Sequence, residues 1–347
     1  LKKSNQQIEW SQNLVEEYVK CSQDPIYFTE KYMKIINIDK GLINFKLYQY
    51  QKNMLLSMQH NRFNIIATAR QAGKALPLDT PISTPTGFKN MGELRPGDYV
   101  IDENGKPTKV TLISETFLNH DCFKITFDDG SSIVSDAEHL WVVNVRDNKH
   151  KQITLTAQQL FDSKYNRATA SGHTTHRYYI PNCKPIEYTT QKIDIDPYTL
   201  GVWLGDGTSA SGSITCTFED IIEYKQHIPY DFGKSFSSNK DLYTGTLYAL
   251  QPSLRKYNLL NDKHIPDEYL FNNVETRIEL LRGIMDTDGW VDRRGSQHIQ
   301  LSNKYSALLE DVYTLLCGLG CKVFRKYFKK TNSTRFSFAI SREQFDT

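Results

Sequence analysis

The chain has no Cys-x-x-Cys pair, no long apolar run and no strong excess of charge of one sign. Six scattered cysteines exclude a disulfide framework and a paired-cysteine zinc site, and they are typical of a reducing compartment. No apolar run reaches the roughly 20 residues that a membrane-spanning helix needs, so we expect no membrane segment and no membrane partner. Because 42 Lys and Arg residues stand against 40 Asp and Glu residues, the net charge is only +2. Any binding of nucleic acid must therefore depend on local basic surfaces.

The chain does have enough hydrophobic residues, 39% of 347, to build two or three domains with proper cores. It begins with Leu1, and its last residues follow a strand-like pattern at Phe336–Ile340. We therefore expect it to be a piece of a longer protein.

The first segment ends in a motif that is typical of nucleotide-binding proteins. Residues 1–62 place aromatic side chains among charges, and we predict a mainly helical segment with a helix through Met58. A short strand pattern, Phe63–Thr68, then runs into Ala69–Lys74, which has the shape of a phosphate-binding loop. A complete loop continues with Ser or Thr and a helix, whereas here Ala75 follows and two nearby prolines prevent a helix. The phosphate-binding loop is therefore interrupted after its lysine.

After the interruption the pattern changes to short strands separated by turn signals. The turn signals lie at Gly87, Gly97, Gly105 and Gly130. The strand patterns are Tyr99–Ile101, Thr108–Ile113, Phe123–Phe127 and Ser132–Val134. We predict a small all-β domain over residues 75–145. The pattern is weaker over residues 146–197, which we interpret as a linker or an insertion.

Two similar segments, Leu200–Gly207 and Leu281–Gly289, are the most informative feature of the chain. Each is an apolar stretch that runs into an aspartate followed by glycine, and the aspartates, Asp206 and Asp288, lie 82 residues apart (288 − 206). We predict two helices that pack closely and end at a shared point, where the two carboxylates are placed to hold a metal ion. Strand and helix patterns follow each segment, which indicates an internal duplication. The small residues that allow the close approach are Gly201, Gly205 and Gly283.

An interrupted phosphate loop, a β domain and a duplicated acidic-helix domain in this order resemble an intein with a nested homing endonuclease of the LAGLIDADG class. The interrupted host segment resembles the large terminase subunit of a tailed phage. The resemblance covers essentially the whole chain. It implies a multidomain fold with an α/β extein fragment, an all-β horseshoe splicing domain of the Hint type and an α+β duplicated LAGLIDADG endonuclease domain. The implied boundaries are 1–74 for the extein, 75–145 for the N-terminal part of the splicing domain, 146–197 for the linker or insertion and 198–347 for the endonuclease.

The terminase resemblance rests on Tyr48–Lys74, which is similar to the adenine-contacting Tyr-Gln and the Walker A loop of such packaging motors. In the unspliced chain the Ser or Thr that holds Mg²⁺ does not follow the lysine, so we expect ATP to bind only after splicing. The host also implies a cytoplasmic protein in a phage-infected bacterial cell. The implied ATP site of the spliced host consists of Gln51, Arg70, Gln71, Gly73 and Lys74.

The splicing resemblance rests on two blocks, Leu76–Ile101 and Gly130–Trp141. It implies that His139 acts at the N-terminal scissile peptide as general acid and base, while Asp136 stands where many inteins have threonine. The first intein position, which usually carries a Cys or Ser nucleophile, is Ala75. Either the nucleophile was replaced to trap the precursor, or the intein naturally starts with alanine and a downstream residue attacks directly. Because the C-terminal splicing blocks are absent, we expect no splicing by this chain alone and consider a separate C-terminal intein fragment as a partner.

The endonuclease resemblance implies Mg²⁺ as the cofactor of Asp206 and Asp288. Lys263 resembles the lysine of the block between the two motifs and is predicted to polarise water or phosphate, whereas Asp286 is predicted to be a structural residue at its helix end. The implied partner is double-stranded DNA, namely the intein-free terminase gene around the codon for Lys74. Strand residues are predicted to lie in the major groove: Gln297, Gln300, Ser302, Arg325, Lys326, Lys329, Lys330 and Arg335.

Three hypotheses follow from the residues and the resemblance. The preferred one is an intein precursor with a domain that cuts double-stranded DNA for homing. The second is a terminase DNA-packaging ATPase fragment with an insertion that never splices and does not cleave. The third treats the duplicated domain as a DNA-binding module without cleavage, in which Asp206 and Asp288 are dispensable.

Overall fold

The computed structural model describes residues 11–37, 41–47, 52, 55, 56, 59, 76–114, 116, 118–146, 148–163, 166–168, 174–233 and 242–339. It divides the chain into two compact units, Leu1–Ala72 and Gly73–Thr347. The strand predicted at Phe63–Thr68 lies outside the described residues, and so do the positions predicted for the ATP site and the intein start: Gln51, Arg70, Gln71, Gly73, Lys74 and Ala75.

The described part of the first unit contains two helices and a short antiparallel hairpin. Its elements are α1 (Gln12–Gln23), α2 (Pro25–Tyr32), β1 (Lys34–Asn37) and β2 (Gly41–Asn44). Asp24 separates the helices and caps the second, because its carboxylate accepts two backbone N–H groups of that helix at 2.9 Å. The prediction of a mainly helical segment is wrong for the hairpin. Its strands are four residues long, and short apolar runs of this kind fit helical and extended backbones equally well by pattern.

The second unit begins with short antiparallel hairpins. The strands are β3 (Pro81–Thr84), β4 (Gly87–Asn90), β5 (Tyr99–Ile101), β6 (Pro107–Lys109), β7 (Cys122–Thr126), β8 (Ser132–Asp136), β9 (Leu140–Val145) and β10 (Asn148–Thr156). In these hairpins β3 pairs with β4, β5 with β6, β7 with β8 and β9 with β10. The four predicted turn glycines all have positive φ, for example 77° at Gly105, a region that glycine enters without steric cost. The predicted all-β character of this region is confirmed, although the strand expected at Thr108–Ile113 ends at Lys109.

The β region continues past residue 145, where a linker or insertion is predicted. β9 is the central strand of a three-stranded sheet, with β10 on one side and β13 (Tyr178–Tyr179) on the other. The predicted boundary therefore falls inside a sheet. The sequence signal is weak because β10 is mostly polar and only Ile153 and Leu155 alternate as apolar residues. Helix α3 (Ala157–Asp162) and a hairpin of β11 (Asn166–Ala168) and β12 (Thr174–His176) lie between β10 and β13.

The rest of the second unit is an α+β core. Its helices are α4 (Pro197–Asp206), α5 (Phe218–His227), α6 (Gln251–Lys256), α7 (Asp267–Leu270), α8 (Val274–Asp288) and α9 (Ser306–Gly318). Its strands are β14 (Ser213–Thr217), β15 (Leu242–Thr246), β16 (Gly289–Val291), β17 (Gln297–Ser302), β18 (Lys322–Phe328) and β19 (Ser333–Ala339).

This core has the repeated order that the sequence predicts. α4, β14 and α5 form the first copy, and α8, β17 and α9 form the second. β14 pairs with β15, whereas the second copy has a four-stranded antiparallel sheet in the order β16, β17, β19, β18. Leu200, Trp203, Leu316 and Phe336 are fully buried in one core that both copies share. None of the helices in the described part of the chain has the length and apolar character needed to cross a bilayer.

An irregular segment, residues 184–189, joins the β region to the α+β core, and we call it the seam. On one side, the Glu187 N–H donates to the Gly105 carbonyl oxygen at 2.8 Å. On the other side, the Ile186 N–H donates to the Gly318 carbonyl oxygen at the end of α9, at 2.9 Å. Within the second unit, the two regions are therefore connected by backbone hydrogen bonds as well as by the chain.

Candidate functional site

Helices α4 and α8 pack against each other through glycines. A β-carbon placed on Gly201 would lie 2.3 Å from the Leu280 carbonyl oxygen, and one on Gly283 would lie 2.2 Å from the Tyr198 carbonyl oxygen. Both distances are well below van der Waals contact, so only glycine allows the backbones to approach this closely. The predicted close packing of the two helices is confirmed.

The two helices end together and bring Asp206 and Asp288 to one place. Each aspartate is the last residue of its helix and is followed by a glycine at the C-cap. A β-carbon on Gly205 would lie 3.1 Å from Asp288 Oδ2, which shows that the second carboxylate lies against the last turn of the first helix. The Tyr224 hydroxyl, on α5, donates to Asp206 Oδ2 at 3.2 Å.

The surroundings of the two carboxylates disfavour their charged forms. Burial, together with the nearby charge of Asp206, raises the pKa of Asp288 to about 6. Burial also raises the pKa of Asp206, although the hydrogen bond from Tyr224 opposes the shift. A divalent cation between the carboxylates would offset this repulsion, and hard oxygen donors suit Mg²⁺.

The donor set leaves most of a cation's coordination sphere to other groups. Among the described residues, no cluster of three or more His, Cys, Asp or Glu side chains is placed to hold a metal. Mg²⁺ is commonly bound by one or two carboxylates together with water and substrate phosphates. The pair of Asp206 and Asp288 therefore fits a cation whose site is completed by a phosphate-bearing substrate.

Lys263 lies beneath the acid pair. Lys263 is only 5% exposed, and its ammonium group donates to the carbonyl oxygens of Leu204, Gly205 and Gly207 at 3.0, 3.2 and 2.7 Å. Burial lowers its pKa to about 8, and the charges of Asp288 and Asp206 oppose that shift. These three hydrogen bonds cap the end of α4, and the polarisation of water or phosphate by Lys263 stays a prediction.

Two further residues complete the surroundings of the pair. The Tyr198 hydroxyl donates to Asp286 Oδ2 at 2.9 Å, which is consistent with the predicted structural role of Asp286. Tyr224 was not predicted. A tyrosine on an amphipathic helix carries no sequence signal for such a role, because its contact with Asp206 depends on how α5 folds back.

The four-stranded sheet places only some of the predicted DNA-contacting residues on its outer face. Ile299 and Phe336 are buried against the helices, so the alternating residues Gln300, Lys326 and Arg335 face outwards. Ser302 shares this outer face, and Lys329 and Lys330 are exposed in the turn after β18.

Two of the predicted residues lie on the other face. Arg325 pairs with Glu310 on α9 at 2.6 Å and lies over the Tyr313 ring, and Gln297 pairs in register with the buried Phe338. For these two, the prediction of DNA contact is wrong, because the side-chain alternation of the strands turns them towards the helices.

The β region places Asp136 and His139 in one tight turn. The Asp136 carboxylate accepts the backbone N–H of Glu138 at 2.8 Å, and its carbonyl oxygen accepts the N–H of His139 at 3.0 Å. The other carboxylate oxygen lies 2.7 Å from Nδ1 of His120, while the His139 ring packs on Trp141 with centroids 5.4 Å apart. His120 was missed because it lies in a stretch with no strand pattern.

Residues 275–340 match the model of the LAGLIDADG-like domain. The chain is 30% identical to the intein splicing domain of "Msm DnaB1", a crystal structure with bound zinc; the match covers 30% of this chain and 78% of that one, with a TM-score of 0.22. It is 31% identical to the "MchDnaB-1" intein, with 30% and 79% coverage and a TM-score of 0.23. The chain belongs to the inteins that carry a LAGLIDADG-like domain.

I-DmoI in complex with DNA and Mn is 19% identical over 43% of this intein-containing chain and 91% of its own, with a TM-score of 0.32.

The curated relatives of this intein-containing chain are helicases. The replicative DNA helicase DnaB of Mycobacterium intracellulare is 33% identical over 287 residues, which is 78% of this chain and 47% of the relative. The DnaB helicase of Mycobacterium leprae is 44% identical over 77 residues, 22% of this chain and 13% of the relative. The chain thus spans about half or less of these proteins. The predicted terminase host is not supported by these comparisons.

Proposed function

We propose that this intein cuts double-stranded DNA at the intein-free copy of its host gene. The observation that carries the proposal is the pair of Asp206 and Asp288, which lie half-buried at the shared end of two helices and have raised pKa values. Two acids whose pKa values are raised by burial at one point of the fold indicate a functional rather than a structural role.

The residues of the chain have separate tasks in this reaction. A divalent cation, when bound, would activate water and stabilise the leaving oxygen of the phosphodiester. Asp206 and Asp288 would hold it, and Tyr224 orients the first carboxylate through its hydrogen bond. Lys263 compensates the negative charge from below and fixes the end of α4. The outer face of the four-stranded sheet would bind the duplex and place its phosphates at the pair.

The proposed second activity is protein splicing, with His139 acting at the N-terminal junction in a turn that Asp136 holds. Ala75 has no nucleophilic atom, so splicing either is blocked by a substitution at this position or starts from a downstream residue. Restoring Cys at position 75 in a full precursor distinguishes the two, because only a blocked intein gains N-terminal cleavage with added thiol.

We propose a terminase as the host, on the strength of Tyr48–Lys74. The match to the M. intracellulare helicase covers 78% of the chain, or about 271 of its 347 residues, and 273 residues follow Lys74 (347 − 74). A match of this size fits within the intein alone, so similarity to a helicase is compatible with a different ATPase host. The gene sequence downstream of the intein codons tests this proposal. Walker B and nuclease acids of a terminase would support it, and helicase motifs would overturn it.

The cleavage proposal is tested with a plasmid that carries the uninterrupted host site. We expect the chain to cut it with Mg²⁺ and the Asp206→Asn, Asp288→Asn double variant to leave it intact. Asp286→Asn is the matched control, because it removes a negative charge from the same helix without touching the pair. Equal cutting by the double variant would overturn the assignment of the pair. Binding without any cutting by the unmodified chain would support a DNA-binding module instead.

A further inference from the structure

One arginine on the outer face of the four-stranded sheet is held from several sides. Arg335 donates from Nε and Nη2 to Oε1 of Gln300 at 3.1 and 2.9 Å. Its guanidinium carbon lies 4.8 Å from the ring centroid of Trp290 and 4.5 Å from that of Phe328. Gln300 donates in turn to Ser333 Oγ at 2.9 Å, which fixes the amide. The guanidinium is therefore oriented before any ligand arrives, so little side-chain entropy is lost on binding.

The donors of Arg335 that remain define what it is able to bind. Gln300 uses Nε–H and one N–H of Nη2, so Nη1 and the second N–H of Nη2 are left at the end of the fork. No ion pair of Arg335 occurs within the described residues, so its charge is not compensated there. Two parallel N–H donors with a positive charge match the O6 and N7 acceptors of guanine in the major groove.

Among the described residues of β14 and β15, the corresponding face of the first copy has no comparable group. There, Ser213 and Thr246 hydroxyls lie 2.8 Å apart, and those of Thr215 and Thr244 lie 3.0 Å apart. These hydroxyls hydrogen-bond to each other, and a hydroxyl donates to or accepts from any base. In the described residues, a guanidinium held by rings and an amide is thus a feature of the second copy.

We propose that Arg335 determines specificity by reading one guanine in the half of the DNA target that the second copy binds. The inference rests on the proposed endonuclease function and adds to it a base and a half-site. Lys326, directly opposite Arg335 in the strand register and exposed, contacts phosphate and contributes affinity without selecting a base.

The test is selection of sites from a random duplex library by the full chain in EDTA, where no cleavage occurs. We expect the selected sites to carry a guanine at one position in one half only. In Arg335→Lys, which keeps the charge but loses the planar fork, the preference for that guanine should fall roughly tenfold or more. Lys326→Ala, the matched control, should weaken binding to all sequences alike and keep the guanine.

A change in the DNA keeps the proposal testable if the variant folds poorly. With the unmodified protein, 7-deazaguanine at the selected position removes the N7 acceptor and should weaken binding several-fold, on the order of one lost hydrogen bond. An unchanged guanine preference in Arg335→Lys, or no effect of 7-deazaguanine, would overturn this inference and leave the endonuclease proposal intact. Failure of the unmodified chain to bind any duplex would overturn both.

Discussion

The two copies of the acidic-helix repeat end at the same point, but their aspartates have different surroundings. In the first copy, Asp206 accepts a hydrogen bond from Tyr224, and Lys263 caps the helix end. Burial is the main cause of a raised pKa at both aspartates, but at Asp288 in the second copy the charge of Asp206 adds to it and the pKa rises to about 6. A duplicated backbone thus places two acids symmetrically while their electrostatic cost is uneven. We conclude that the second copy carries more of the loss of stability that the site imposes.

The largest expected effect comes from removing the close helix contact that the two copies share. Gly283→Ala places a methyl group 2.2 Å from a backbone oxygen, and no rotamer relieves this contact. We expect the free energy of unfolding to fall by about 3 kcal/mol, because overpacking outweighs the gain in helix propensity. Chemical denaturation measures it. Glu275→Ala, exposed on the same helix, is the control, and an equal midpoint for both variants would contradict the close contact.

The uneven electrostatic cost predicts that Asp288→Asn stabilises the protein. The folded pKa, about 6, lies above the ordinary value of 3.8, so the folded chain binds more protons between these values. Stability is therefore lost as pH rises through this window, by up to about 3 kcal/mol, and asparagine avoids this loss.

We expect Asp288→Asn to exceed the unmodified chain in stability at pH 7, by more than Asp206→Asn does, and the difference to vanish near pH 4. Denaturation curves across pH 4 to 7 measure it, with Glu275→Gln as the control for a lost charge. A gain that does not change with pH, or a larger gain from Asp206→Asn, would contradict the uneven electrostatic cost of the two aspartates.

A smaller change is expected for Tyr224→Phe, which removes the hydrogen bond that distinguishes the surroundings of Asp206 from those of Asp288. Loss of the hydroxyl removes the donor to Asp206, so the pKa of that carboxyl should rise and stability should fall by about 1 kcal/mol. NMR titration of the Asp206 carboxyl carbon follows the pKa. An unchanged titration curve would show that the hydrogen bond does not set the difference between the copies.

The smallest effects distinguish the two faces of the second copy's sheet. Arg325→Ala should lower stability by about 0.5 to 1 kcal/mol, because Arg325 pairs with Glu310 and lies over Tyr313, and should leave DNA affinity unchanged. Lys326→Ala should do the reverse, lowering the slope of log affinity against log salt by about 1. Binding assays at several salt concentrations measure this. Equal salt slopes for the two variants would contradict the assignment of faces.

The parts of this molecule that the sequence predicts are those with a strong local signal. Glycine and aspartate at the ends of two apolar segments predict both helix ends and their contact, since only glycine allows that approach. The turns at glycines 87, 97, 105 and 130 are predicted for the same reason, because positive φ favours glycine.

The parts that were missed depend on contacts between distant residues. The β10 strand is recognised by its pairing with β9 and not by its polar sequence. The sequence places Lys263 between the two acidic motifs, but the carbonyl oxygens that it caps become evident only when its segment folds against the end of α4. Tyr224 and His120 meet their aspartates across 18 and 16 residues of chain, and no local pattern encodes such meetings.

The seam also limits how the α+β core can be deleted from this chain. Arg277, fully buried in α8, donates to the carbonyl oxygen of Ile186 in the seam and to that of Asn272 at 3.0 Å. Deleting the nuclease would leave the seam without the Gly318 and Arg277 partners, while its bonds to the β region would remain. A compact splicing element made from this chain must therefore supply new partners for residues 184–189. A point substitution at the acid pair would remove cutting with less loss of stability than deletion of the α+β core, because it leaves the partners of the seam in place.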